Sequence, residues 1–408
     1  MFYAFILGKN PTLSIAEVIS VLKRERFVFV IISISAKTLV IKTDKSIENP
    51  QYFLDKLGGT IKIVDIFGKE TTMGKTTEMI MGYISNNFQE SKFIFGISEY
   101  GVKTGKLKFE IKKKLKEINI NSRIVEGKQE SLSAPEIEKN KIIEKGADFI
   151  MIRAENGIFI GRTIAIQDYE SYSHRDYDRP RRNAKSGMLP PKLAQIMINL
   201  LPAYNLQSTS LPIIYDPFCG NGTILQEAAL MESPIMGSDI SNDRIFDTEK
   251  NLEWLEKEYG TKVIMERELF QSDALKLKKN DLPSRDIAIV SEVYLGPPST
   301  ERTTEEDVFE KINILEKDYV NFLNNIDDEL KNIRYLVLAI PFYVIKNKLY
   351  FLNIIDSIKE KGYNVISPFD NEAIDFSLLK EYNKKRNTIL YAREDQFVGR
   401  EIIILQRK

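Results

Sequence analysis

At 408 residues the chain has length for two or three domains, and 43% hydrophobic with 28% charged residues is the make-up of a soluble globular protein. A single cysteine, Cys219, and a single histidine, His174, exclude an internal disulfide, a zinc site made of His and Cys, and any Ser-His-Asp triad not built on His174, so no metal centre is expected. The formal charge of zero hides two unlike halves: residues 1–200 carry 32 Lys+Arg against 23 Asp+Glu, and residues 201–408 carry 26 against 35. Either the first half meets a polyanion or the difference is chance variation among solvated charges.

Phe2–Leu7 alternates like a strand, and Gly8-Lys9-Asn10-Pro11 reads as a turn. Ser14 with Glu17 three residues later predicts a capped helix start, with Ile15, Val18, Ile19 and Leu22 as its buried stripe. Strands near 27–33 and 38–42 complete a small α+β unit over 1–57 that holds no catalytic constellation. A second unit, 58–166, alternates strand-like stretches near 60–66, 93–98 and 148–154 with helical patterns near 77–88, 106–118 and 136–145. Asn156-Gly157 predicts a hairpin turn into 158–166. On the helix near 106–118, Leu107, Ile111, Leu115 and Ile118 face inward. Lys112 and Lys113 project outward with their lysine neighbours, either to hold RNA phosphates or as a solvated helix face.

Residues 167–186 break the periodicity. Arg175, Arg179, Arg181, Arg182 and Lys185 interleave with Tyr169, Tyr172 and Tyr177, a mixture that suits phosphates and stacked bases and also suits a polar linker. Pro190-Pro191 then starts a helix with Leu193, Ile196, Met197 and Leu200 on one face.

From 213 onward strands and helices alternate: a short strand at 213–216, a helix from Thr223, a strand to Asp239, a helix from Ser241 to Gly260, strands near 263–270 and 286–291, and a charged helix near 304–325. The apolar strand Tyr335–Ile340, a helix near 347–361 and strand-like stretches at 363–367, 388–392 and 401–405 follow. This order predicts a mainly parallel, doubly wound α/β sheet with antiparallel strands at its end over 187–408, preceded by an α+β region. No apolar run approaches the roughly 18 residues that span a bilayer and no basic leader stands at Met1, so a cytoplasmic protein is expected.

The stretch Asp216-Pro217-Phe218-Cys219-Gly220-Asn221-Gly222-Thr223 joins the first of these strands to its helix. Gly220 and Gly222 let backbone approach a ligand closely, and the free N–H groups of the helix start favour a carboxylate or phosphate. Asp239 ends the next strand about 20 residues on, where an acidic side chain takes a ribose hydroxyl pair in nucleoside-binding folds. The stretch resembles the S-adenosylmethionine (SAM) loop of class I methyltransferases, especially those acting on exocyclic amino groups of nucleobases. Cys219, inside that loop, reads as a packing residue and not as a nucleophile.

The whole chain resembles the THUMP-domain tRNA guanosine-N2 methyltransferases. Phe5-Ile6-Leu7-Gly8-Lys9-Asn10-Pro11, Arg179-Pro180-Arg181 through Pro190-Pro191-Lys192-Leu193-Ala194-Gln195, the 216–223 loop, Gly296-Pro297-Pro298 and the tail from Tyr391-Ala392-Arg393 to Gly399-Arg400-Glu401 carry the likeness. It implies an N-terminal ferredoxin-like unit and a THUMP domain gripping tRNA. It also implies SAM held by Asp216, Gly220 and Gly222, with Phe218, Asn221 and Thr223 from the same loop. Asp239 and Ile240 would stand at the ribose, and Asp273 and Ala274 at the adenine. Some members of the family use a small activator subunit, which this sequence neither requires nor excludes.

At the fourth core strand the family carries Asp or Asn-Pro-Pro-Tyr or Phe, and here the residues are Glu292-Val293-Tyr294-Leu295-Gly296, with the tyrosine one place early. The amino lone pair of a base is delocalised, so an acceptor must polarise it and an aromatic face must hold the extruded base. Glu292 is expected as the acceptor and Tyr294 as the clamp. The alternatives are amino-group methylation of another RNA or DNA base, and a SAM- and RNA-binding protein that has lost catalysis.

Overall fold

The computed structural model describes the chain except residues 89–91, 183–187, 203–211, 261–266, 279–285, 331–332, 371, 373 and 394–395. Lys185 therefore lies outside the described residues, as does the first half of the strand expected near 263–270. The chain forms two compact units, Met1–Pro11 with Phe27–Tyr169, and Thr12–Arg26 with Glu170–Lys408.

The first unit contains β1 (Phe2–Leu7), whereas α1 (Pro11–Arg24) belongs almost wholly to the second. It continues with β2 (Phe29–Ile34), β3 (Thr38–Thr43), α2 (Pro50–Asp55), β4 (Thr60–Glu70), α3 (Met73–Asn87), β5 (Lys92–Tyr100), α4 (Leu107–Glu117), β6 (Asn121–Ile124), α5 (Ala134–Lys139), α6 (Ile142–Lys145), β7 (Gly146–Ala154) and β8 (Gly157–Ile166). One sheet of order β2-β3-β1-β4-β8-β7-β5-β6 runs through it. No sheet boundary falls at the expected 57/58 division, because β4 pairs antiparallel with β1 on one side and β8 on the other. Lys62 of β4 and Asp148 of β7 are buried at 2.8 Å from each other, and Ser98 and Thr163 hydroxyls donate to the same carboxylate, both at 2.7 Å. Such a pair is tolerated in a core because its remaining lone pairs are satisfied.

The second unit contains α7 (Tyr169–Tyr177), α8 (Pro191–Asn199), β9 (Ile213–Asp216), α9 (Thr223–Leu230), β10 (Ile235–Asp239), α10 (Asn242–Tyr259), β11 (Arg267–Gln271), β12 (Ile287–Glu292), α11 (Glu305–Glu329), β13 (Tyr335–Ile345), β14 (Lys348–Phe351), α12 (Ile355–Glu360), β15 (Tyr363–Val365), β16 (Tyr382–Asn383), β17 (Thr388–Tyr391) and β18 (Val398–Arg407). The sheet order is β11-β10-β9-β12-β13-β18-β17-β16, parallel from β11 to β13 and antiparallel from β13 to β16, as the alternation of elements predicts. β9, β12 and β13 are nearly all buried, and the apolar stripe of α11 packs on them through Val308, Leu315, Phe322 and Ile326.

Three local expectations are corrected. α1 starts at Pro11, whose ring suits a first helical position, so Ser14 and Glu17 lie buried inside the helix and not at its cap. Residues 169–177, where periodicity fails, are nonetheless helical, because α7 buries polar side chains that pair with one another (below). In place of one helix near 347–361 there is a tight hairpin into β14 and then the short α12. Lys346 and Asn347 both take positive φ, +47° and +64°, as a two-residue hairpin turn requires. Among the described residues no helix is long and apolar enough to cross a membrane.

Candidate functional site

β9 ends in Asp216 and its parallel neighbour β12 ends in Glu292, so both carboxylates stand at the C-terminal edge of the sheet. Connections leave the sheet in opposite directions on either side of this pair, and the crevice so formed is where open α/β sheets hold ligands.

Asp216 is buried. Its Oδ1 accepts the Ser291 hydroxyl at 2.6 Å and the Phe218 N–H at 3.1 Å. Burial pushes its pKa up to about 7 despite those donors, with the charges of Asp239 and Glu292 acting in the same direction. The turn that follows has Gly220 at φ +53° and Gly222 at φ +77°. α10 holds this turn from below: Thr248 Oγ1 donates to the Gly220 carbonyl at 2.8 Å, and Asn251 Nδ2 donates to the Asn221 carbonyl at 2.9 Å. Asp239, at the tip of β10, accepts the Gly220 N–H on Oδ2 at 3.1 Å and the Ser241 N–H on Oδ1 at 2.9 Å, which ties the turn to the next strand. Asn221 donates from Nδ2 to the Arg181 carbonyl at 3.0 Å, and Arg244 donates to its Oδ1 at 3.2 Å. Cys219 is buried beside Thr248, Sγ to Oγ1 3.7 Å, and burial pushes its thiol well above the ordinary range, so it is an inert packing group.

Two cavities meet at Phe218 and Glu292. The smaller, about 100 Å³, is bordered by the glycine turn, Asp216, Thr223, Met188 and Leu189. The larger, about 420 Å³, extends past Asp239, Ile240, Asp273, Ala274 and Leu275 to Tyr294 and the α11 residues Leu315, Asp318 and Tyr319. These residues fit SAM. Carboxylates and a close-approach backbone turn surround the smaller cavity, as a cationic amino-acid end needs. The larger has an apolar wall with acidic groups at two strand tips, as a nucleoside needs. Gly222 borders neither cavity, and Asp273 already accepts the Leu275 N–H at 3.0 Å, capping the short 3₁₀ turn Ala274–Lys276.

Glu292 Oε1 accepts a hydrogen bond from the Nε of Arg400 on β18. Burial raises the Glu292 pKa and the arginine pulls it back down, with a net position above the usual glutamate value. After Glu292 the loop is pinned by two tyrosines: Tyr319 donates its hydroxyl to the Tyr294 carbonyl, and Tyr343 donates to the Leu295 carbonyl at 3.2 Å. Tyr294 itself is 60% exposed and borders the larger cavity. Arg400, Asp318, Tyr319 and Tyr343 escape a sequence reading because they reach the site from distant elements, and Ser291, beside Glu292, because its bond to Asp216 crosses between strands. Only the position of Arg400 in a stretch that carries the family likeness hinted at it.

The basic residues expected to meet RNA divide. Lys112 and Lys113 are exposed on α4, and Arg181 and Arg182 are exposed after α7, with Arg182 over the Tyr177 ring at 5.0 Å. Arg175 and Arg179 are corrected: they are only 6% and 3% exposed. Arg175 pairs with Glu227 of α9 (Nε–Oε1 2.7 Å), and Arg179 donates to Thr223 Oγ1 at 2.7 Å. Their guanidinium groups stitch α7 to the helix behind the glycine turn and are not presented to a phosphate backbone.

Residues 179–280, which span the glycine turn, match the family described as the RMKL-like methyltransferase domain. This stretch is a methyltransferase domain. The domain has the class I fold, and SAM is its cofactor. A curated tRNA (guanine(10)-N2)-dimethyltransferase of Methanocaldococcus jannaschii is 31% identical over 189 residues, 46% of this chain and 47% of that protein. The enzyme of the same name from Methanothermobacter thermautotrophicus is 31% identical over 176 residues, 43% and 45% of the two chains. The chain thus spans about half the length of the curated relatives it matches. The crystal structure of TrmN from Thermus thermophilus aligns over the whole of both chains with a TM-score of 0.52 at 13% identity, a likeness of fold.

Proposed function

We propose that this protein transfers a methyl group from SAM to the exocyclic N2 amino group of a guanosine in tRNA. The names of the curated relatives support the substrate, and Glu292 is the observation that carries the chemistry. It is a carboxylate at the switch point, at the junction of the two cavities, with no hydrogen-bond donor other than Arg400 among the described residues.

When bound, SAM supplies an electrophilic methyl group. Asp216, Gly220 and Asn221 would hold its amino-acid end, and Asp239, Ile240, Asp273 and Ala274 its nucleoside, with Phe218 bordering both cavities. Glu292 Oε2 accepts one N2–H of guanine. The Val293 carbonyl, next in the chain, is the second acceptor, since the carbonyls of Tyr294 and Leu295 are taken by Tyr319 and Tyr343. Drawing both N–H bonds toward acceptors returns lone-pair density to nitrogen, and the exposed Tyr294 ring stacks on the extruded base. Residues 1–57 and 58–166, read as ferredoxin-like and THUMP-like, supply the grip on tRNA through Lys112 and Lys113, with Arg181 and Arg182 nearer the methyltransferase domain in sequence. The cytoplasm is the compartment in which such an enzyme meets tRNA.

The test is nucleoside mass spectrometry on unmodified tRNA transcripts incubated with the protein and SAM. N2-methylguanosine is expected from the wild type. Glu292→Ala should make none while binding SAM within a few-fold of wild type by calorimetry. Methylation of a different base, or wild-type turnover by Glu292→Ala, would overturn the reading.

A further inference from the structure

Arg400 stands 108 residues from Glu292 in sequence and two strands away in the sheet. On β13, the strand between them, Ala339 pairs with Glu292 and Pro341 pairs with Arg400. Residues 339 and 341 share one face of the strand. A methyl group and a pyrrolidine ring leave that face low enough for the guanidinium to cross it diagonally. The arginine is 4% exposed, and its Nε donates to Oε1 of the Glu292 carboxylate. Among the described residues no protein group donates to Glu292 Oε2, and Glu292 borders both cavities.

We propose that Arg400 is a positioning residue for methyl transfer: it fixes the Glu292 carboxylate by one oxygen, keeps it ionised in a buried site, and leaves the second oxygen as the acceptor for the target amino group. This rests on the guanine-N2 reading of the site. The groups around Glu292 make the arginine necessary. Asp216 at the end of β9 and Asp318 of α11 also border the two cavities, and burial pushes the hydroxyls of Tyr319 and Tyr343 above the ordinary range, so neither supplies a charge at neutral pH. Arg400 is the cation that offsets the burial of this carboxylate. Without it, burial drives Glu292 toward its neutral form, in which a protonated oxygen donates where an acceptor is required.

The experiment compares wild type, Arg400→Met and Arg400→Lys, with Glu292→Gln to identify the Glu292 signal. Glutamate labelled with ¹³C at the carboxyl carbon is titrated by NMR, and kcat and SAM KM are measured against pH on tRNA. In Arg400→Met the Glu292 midpoint should rise by about one pH unit or more. Its kcat should fall at neutral pH, recover toward alkaline pH, and leave SAM KM within threefold. Arg400→Lys keeps the charge but loses the planar donor geometry. It should titrate near wild type and lose kcat at all pH values. An unmoved Glu292 midpoint in Arg400→Met, or an activity loss that is the same at every pH and follows thermal stability, would reduce the arginine to a structural ion pair. The titration needs no tRNA, so it decides the arginine even if the wild type makes no N2-methylguanosine; that result sinks the functional reading instead.

Discussion

Asp216 is a carboxylate whose fold works against its charge. Its pKa lies near 7 against an ordinary 3.8, chiefly because it is buried. The sign follows from linkage: below the unfolded value the group is neutral in both states and costs nothing. Between about pH 4 and 7 the unfolded chain ionises it while the fold resists, so stability falls as pH rises. Asp216→Asn keeps an oxygen to accept from Ser291 and Phe218 and removes that cost. In the absence of SAM it should therefore raise the melting temperature at pH 8, by an amount equivalent to on the order of 2–4 kcal/mol, and leave it nearly unchanged at pH 4. The same change should weaken SAM binding at pH 8, because the negative partner of a cationic ligand is gone. A stabilisation equal at both pH values would show that charge is not what Asp216 costs the fold. The retained cost at a ligand-facing carboxylate is what a binding site looks like when function, and not stability, fixes the residue.

At the scale of the element, the turn from β9 to α9 was legible in sequence because its constraints are local. Two glycines at positive φ, an aspartate at the strand end and a second aspartate one strand on are all spaced along a single β-α-β segment. The reason for Gly222 lies elsewhere, in α10. A Cβ at that position would sit 2.8 Å from Thr248 Cγ2, and Thr248 is itself held by its bond to the Gly220 carbonyl. Gly222→Ala should thus combine backbone strain with a clash, costing about 1–3 kcal/mol in thermal stability and at least tenfold in SAM affinity by calorimetry. Full SAM affinity in that variant would mean the turn can shift without losing the ligand. The helix α7 was illegible for a related reason. Its buried face is Tyr172, Arg175 and their partners, not an apolar stripe, so the usual periodicity is absent and the arginines read as surface cations. An arginine that pairs with a buried glutamate 52 residues away, as Arg175 does, carries no local mark of doing so. Glu292 lay in the same position: its alignment with the family motif was visible, and its dependence on β18 was not.

For the whole molecule, the informative element is α1, which the chain order places between two strands of the first unit but which packs as part of the methyltransferase unit. It buries an apolar face and a polar cluster beside it, and makes an ion pair at the surface. Asn199, the last residue of α8, donates to Glu17 at 2.8 Å and accepts from Arg24 at 2.6 Å, and Lys23 reaches Glu372 at 3.0 Å. α8 packs on α9, and the residues just before it, Met188 and Leu189, border the smaller cavity, so this layer backs the cofactor site. A fragment of residues 170–408, the second unit without its α1 segment, lacks both the donor and the acceptor that α1 gives Asn199. Each buried polar partner lost costs roughly 1–3 kcal/mol. That fragment should melt well below the methyltransferase unit of the intact chain and bind SAM more weakly. Joining residues 10–27 to its N-terminus through a flexible linker should restore both, as followed by calorimetric melting and SAM titration. Equal melting of the bare fragment would show α1 to be a passenger on this unit. Restoration by the linked helix would show that α1 is part of the methyltransferase unit although the chain reaches it before most of the first unit, so replacing residues 1–169 as a block would remove part of the methyltransferase fold.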